Sequence, residues 1–227
     1  MKDQFQKFIL PILNKKKPKK ILEIGVLDGG ATIQLLKYCE TNGAKLTSIE
    51  PIEWFGKIPD DLKPSFNNFS SEVLKKKVYA KYVEEIFKLS LQNNWKCLKT
   101  TSYDFLNSIE FESFDLCLWD ADHNYFNLFR DLKKLHLKSK IGSQILIQGI
   151  EKWNRKDQYA DPKNIPLEYY YGKKQGLIRA IKDFLKVTSH RRYFRLIPYL
   201  FFSKKKWNYK KLTSVKHGLG ILERIRD

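Results

Sequence analysis

Acidic residues, one histidine and a group of glycines fall where the apolar runs of this chain stop. Glu23 precedes Gly25, with Asp28, Gly29 and Gly30 just after it. Glu50 closes the second run, Ser102 follows the third, Asp120, Asp122 and His123 close the fourth, and Gln148 and Glu151 the fifth. A glycine turn after a short apolar strand is a ligand cradle, because such turns need residues without a Cβ. The dinucleotide pattern G-x-G-x-x-G is broken, since Leu27 stands where the second glycine would let a pyrophosphate touch the backbone. The Gly-Lys-Ser/Thr of a phosphate loop is missing as well. Plainer readings exist for the other groups. Asp120 or Asp122 can cap the helix that follows, and a lone histidine such as His123 is commonly a hydrogen-bonding neighbour. His136, His190 and His217 lack carboxylate companions and read as structural.

These residues converge only if the runs are neighbouring strands of an open α/β sheet, whose ligands lie outside the carboxyl ends. The pattern supports that. Ile21–Ile24 is a short buried strand, and Thr32–Thr41 a helix stopped at Asn42-Gly43. Lys45–Glu50, Trp95–Thr100, Phe114–Asp120 and Gln144–Ile147 read as further strands. Glu72–Leu91, Tyr125–Leu137 and Gln175–Val187 have helical spacing. Residues 1–14 form a helix ended by Pro18. Ser102–Leu106 leads into a short helix, and Tyr193–Phe202 with Gly218–Ile225 forms a closing antiparallel pair. The alternation predicts a doubly wound, Rossmann-like, seven-stranded and mostly parallel sheet with an antiparallel last strand. The irregular, aromatic stretch 51–71 is long enough to be a lid.

The motif Glu23-x-Gly25-x-x-x-Gly29, with Glu50 after the next strand, resembles the S-adenosylmethionine loop of class I methyltransferases. The bland reading is any α/β strand with a glycine turn. Asp120-Ala121-Asp122-His123-Asn124-Tyr125, followed by Asp131-Leu132, resembles the D-G-D-H-x-Y…D-L signature of a bacterial family. That family includes macrolide-sugar O-methyltransferases and cephalosporin-hydroxylase-like proteins. Gly176–Leu185 is similar to its late helix and His217–Arg224 to its terminal strand. The resemblance implies S-adenosylmethionine held by Glu23, Gly25, Asp28, Gly29, Gly30, Glu50, Ser102 and Asp120, with Glu50 on the ribose hydroxyls. It also implies Asp120 as first ligand of a Mg²⁺ ion and His123 as base, for methyl transfer to a hydroxyl of a sugar or other small molecule. Two departures bear on this. Gln148 and Gly149 replace the expected His-Asp metal pair, which leaves Glu151 to compensate or the site without metal. Thr100-Thr101-Ser102 replaces Gly-Asp-Ser, keeping only the serine as an adenosyl contact.

At 227 residues, 42% hydrophobic and 14% aromatic, the chain suits a single domain over 1–227, with 1–19 as a basic extension. Cys39, Cys97 and Cys117 are isolated and read as reduced core residues of a cytoplasmic protein. Phe8–Leu13 is too short for a signal sequence. The net charge of +18 predicts attraction to polyanions. Its lysine clumps, Lys15–Lys17, Lys75–Lys77 and Lys204–Lys206, suit either an anionic surface or a merely solvated face. A non-catalytic protein that binds membrane or polyanion is thus an alternative. Nucleic-acid methyltransferases carry Asn/Asp-Pro-Pro-aromatic where Asp120–His123 stands, which argues against a nucleic-acid partner.

Overall fold

The computed structural model describes residues 5–51, 53–60, 77–108, 112–121, 123–151, 176–192, 202–212 and 218–227. Asp122, His217, most of the 51–71 stretch and 193–201 lie outside the described residues. The chain divides into two compact units, Met1–Ala121 and Asp122–Asp227. The seven strands of the main sheet are shared four and three between them, and the fold is α/β with a mostly parallel, Rossmann-like sheet.

In the first unit a wide turn at Phe5–Ile9 leads into helix α1, Leu10–Lys16. It ends at Lys17 in the left-handed conformation, φ 50°, two residues later than the sequence suggests. Strands β1 (Lys20–Ile24), β2 (Lys45–Ile49), β5 (Trp95–Leu98) and β6 (Phe114–Trp119) pair in parallel in the order β6-β1-β2-β5. Parallel strands covered on both faces require near-continuous apolar runs, and Ile21, Leu22, Ile24, Leu116, Cys117 and Leu118 are all buried. Helix α2, Thr32–Asn42, crosses between β1 and β2 and stops where Gly43 takes φ 59°. At the other end of β1, the Asp115 carboxylate accepts the amide hydrogens of Lys19 and Lys20 at 2.8 and 2.9 Å.

One expectation fails in this unit. Helical spacing from Glu72 predicts one long helix, yet Lys77–Tyr79 is strand β4, paired with β3 (Glu53–Phe55), and helix α3 occupies only Lys81–Lys88. The described start of the 51–71 stretch is packed against the fold. Trp54 and Ile58 are buried with Val26, Ala80 and Val83 in a secondary core, and Glu84 of α3 accepts the Lys57 amide and the Tyr79 hydroxyl. The short helix α4, Ser102–Asn107, is capped by Thr101, whose Oγ1 accepts the Asp104 amide at 3.1 Å.

In the second unit, helix α5 (Tyr125–Lys138) runs directly into β7, Ser139–Gln148. The strand is longer than predicted because Lys140 to Gly142, near its start, are exposed and do not continue the apolar run of Ile145–Ile147. Helix α6 is Leu177–Thr188. A small antiparallel ladder joins β8 (His190–Arg192) to β9 (Phe202–Lys204). The partner of the last strand, β11 (Leu219–Arg224), is β10, Trp207–Leu212, and not the 193–202 run that the sequence favours. β11 pairs on its other edge with β7, also antiparallel. Among the described residues no helix is long and apolar enough to cross a membrane.

Candidate functional site

The turn after β1 is held by carboxylates and leaves little for a phosphate. Glu50 follows β2 and is 2% exposed; its Oε2 accepts the amide hydrogens of Val26 at 2.8 Å and Leu27 at 2.7 Å. Gly25 donates its amide to the Ile49 carbonyl, Gly29 to Val26, and Gly30 to Asp28 Oδ1, each at 3.0 Å. Every one of those N–H groups, which a phosphate loop would turn toward its ligand, is spent inside the protein. Leu27 itself is 50% exposed and takes φ 55°. The Glu50 charge and its occupied amides exclude a phosphate. They suit a cation.

Gly25 also owes its place to the protein itself. At φ 94° it lies against β6, and a Cβ there would collide with the carbonyl of Asp120 and come within 3.0 Å of Ala121 Cα. Gly29, at φ 88°, is pressed by α3, where a Cβ would meet Val83 Cγ2 at 2.9 Å. These glycines are required by packing whether or not a ligand touches them. Trp54 completes the brace, its indole N–H donating to the Leu27 carbonyl while the Lys99 ammonium sits 3.4 Å from its ring centroid. Trp54 is one of the aromatics that suggest a lid over 51–71, but nothing in an aperiodic stretch marks its contacts with residue 27 and Lys99.

Glu23 is fully buried and faces inward. It accepts the Ser48 hydroxyl at 2.6 Å and the Thr32 hydroxyl at 2.9 Å, and Ser48 in turn accepts the Trp95 indole N–H at 2.9 Å. It thereby ties β1 to α2, β2 and β5. Burial pushes its carboxyl from an ordinary 4.5 up to about 8, against the smaller downward pull of the two hydroxyls. Between those values the folded chain keeps a proton that the unfolded chain has released. Its stabilising contribution is thus complete below pH 4.5 and is lost as pH rises toward 8. His136 works the other way, because burial and then Arg224 lower it from 6.5 to about 4, so its contribution fails only as pH falls through that range. Among the described groups the Glu23 shift dominates between pH 6.5 and 8, with a slope of at most about 1.4 kcal/mol per pH unit. Melting temperature should fall between pH 6.5 and 8, and Glu23→Gln should flatten that fall. An unchanged slope in the variant would refute the assignment.

The remaining residues of the first unit are placed as follows. Asp120 is half-buried at the end of β6, its amide donating to the Ile24 carbonyl at 2.9 Å, so β6 delivers it beside the glycine turn. Ser102 is the first residue of α4 and half-buried. Asp28 orders the turn through Gly30.

In the second unit, half-buried His123 precedes Asn124, whose Oδ1 accepts the Asn127 amide at 2.8 Å. The helix cap is thus an asparagine and neither aspartate. Asp131, of the D-L part of the signature, is buried and pairs with Arg130 at 2.9 Å. His136 accepts the Trp207 indole N–H at 3.1 Å, a structural role. After β7, Gly149 takes φ 79° and donates to the Gly218 carbonyl. A Cβ on Gly218 would meet Glu151 Cγ at 2.6 Å, which accounts for the glycine that opens the terminal strand.

Glu151 pairs with the Lys211 ammonium at 2.7 Å. Among the described residues no group of three His, Cys, Asp or Glu side chains is placed to hold a metal. A hard divalent cation needs several oxygen ligands. A lone carboxylate paired with a lysine does not fit one.

Residues 22–148 match a family model described as Methyltransferase domain. No curated protein matches the chain. The fold is similar to a Bacillus cereus O-methyltransferase solved with SAH, with a TM-score of 0.57 and 17% identity over 96% of this chain and 79% of that one. It is similar to the SAH-bound Podospora anserina methyltransferase PaMTH1, with a TM-score of 0.56 and 17% identity over 97% and 77%. It also resembles the SAM-bound O-methyltransferase TomG of Streptomyces achromogenes, involved in tomaymycin synthesis, at a TM-score of 0.55 and 12% identity over 95% and 77%.

Proposed function

The chain belongs to the methyltransferase-domain family, and from that premise we propose that it is an S-adenosylmethionine-dependent O-methyltransferase acting on a hydroxyl of a sugar or another small molecule. The observation that carries the cofactor is the turn whose amides are already taken by Glu50. A sulfonium with an amino-acid ammonium is attracted by the carboxylates of Glu50 and Asp120, which would repel a phosphate. Bound there, S-adenosylmethionine supplies an electrophilic methyl group. Glu50 retains acceptor capacity, since a carboxylate offers about four lone-pair sites, and the ribose hydroxyls are its natural donors. Ser102 lies after β5 as an adenosyl contact. Asp120 orients the acceptor hydroxyl and steadies positive charge. His123, three residues on, takes the proton that the hydroxyl loses. No Mg²⁺ is needed for these roles.

Calorimetry with S-adenosylmethionine and with NAD⁺ tests the cofactor. Glu50→Ala leaves two amides without their acceptor, each costing about 1–3 kcal/mol, and removes the charge. We expect S-adenosylmethionine to bind the unmodified protein and to bind this variant at least about 100-fold more weakly. Tight NAD⁺ binding without S-adenosylmethionine binding would sink the proposal.

A further inference from the structure

A cavity of about 430 Å³ opens in the second unit between the end of α6 and the start of β10. It is lined by Lys186, Lys205 and Lys206 together with Ser189, Trp207 and Asn208. We infer that this groove is a binding site for a phosphate ester, separate from the methyl-transfer site. β10 begins at Trp207 opposite Arg224, and Arg224 bonds Ser139 at the start of β7. The groove therefore lies at the end of these strands away from Gly149 and Glu151, which follow the end of β7.

Among the described residues the acidic side chains around these segments are engaged, Glu151 with Lys211 and Asp227 with Arg224 included. Asp183 accepts Arg179 at 2.6 Å and the Tyr125 hydroxyl at 3.1 Å, lying 3.8 Å from Lys186. Glu223, the register partner of Asn208, accepts from Gln144. The positive charge at the groove thus exceeds the negative. The two chain segments that form it continue into the β8–β9 ladder, whose backbone register sets His190 opposite Lys204. Lysines act as point charges and suit a phosphate without demanding one orientation, and the volume is that of a small-ligand site. A soluble phosphorylated metabolite and a phospholipid headgroup present the same group.

The test uses the whole protein, by calorimetry with inorganic phosphate and glycerol 3-phosphate, and by co-sedimentation with phosphatidylglycerol against phosphatidylcholine vesicles at low salt. Lys205→Gln/Lys206→Gln should weaken binding at least tenfold and leave the melting temperature unchanged. Lys15→Gln/Lys16→Gln, which removes equal charge from α1, should retain it. Saturable binding of the soluble esters assigns a metabolite; binding only to phosphatidylglycerol vesicles assigns a headgroup. Equal losses in both double variants, no loss in the first, or no binding to any probe would overturn the site.

Discussion

Gly25→Val is expected to cost the fold at least about 4 kcal/mol, enough to leave much of the chain unfolded. Two effects add. The residue holds φ 94°, where a side chain is strained, and its Cβ would occupy the space of the Asp120 carbonyl. Neither neighbour can retreat, because Gly25 is bonded to Ile49 and Asp120 to Ile24 by their backbone amides. Gly43→Ala separates the two effects, since that residue also has positive φ, 59°, yet nothing lies within 4 Å of its Cβ. It should lose only about 1–2 kcal/mol. Urea denaturation of both variants measures the difference. Similar costs would show that backbone strain alone sets the requirement at Gly25.

Methyl transfer should depend on Asp120 and His123 to different degrees. Asp120→Asn keeps the size and removes the charge at the end of β6, and should abolish most activity. His123→Ala should slow turnover by about 10²–10⁴-fold as a lost general base does, with the deficit narrowing at alkaline pH as the acceptor hydroxyl gives up its proton unaided. Activity of the unmodified protein should be indifferent to EDTA, given the Lys211–Glu151 pair. Unimpaired turnover in His123→Ala, or loss of activity to EDTA with recovery on adding Mg²⁺, would overturn these roles.

β1 and β6 are legible in the sequence because burial on both faces writes them as apolar runs, as in Phe114–Trp119. β10 is not, since only Trp207 of its six residues is buried and its lysines read as a loop. β4 is lost for a different reason. Val78 and Tyr82 fit a helical period by chance of spacing, while the chain is extended at Tyr79 and helical from Lys81. Of the candidate site, the glycine turn and its acidic companions are visible as types. Their partners are not. The contact between Glu50 and the amides of Val26 and Leu27 spans more than twenty residues, and Lys211 reaches Glu151 only because β10 and β7 flank the same strand.

The Glu50 clasp also shapes which changes of ligand are open to this fold over evolutionary time. Leu27→Gly would restore the glycine spacing of a nucleotide turn, and at φ 55° the backbone already has the shape glycine favours. Little would come of it. The amides of residues 26 and 27 would still be claimed by a carboxylate 2.7–2.8 Å away, and an incoming phosphate would meet its charge. Position 50 must change before position 27 can matter, and the chain that has lost Glu50 alone has neither its own clasp nor a glycine in its place. Two cofactor chemistries that share one backbone trace are thereby separated by an unfit intermediate, and the order of substitutions rather than their number sets the barrier between them.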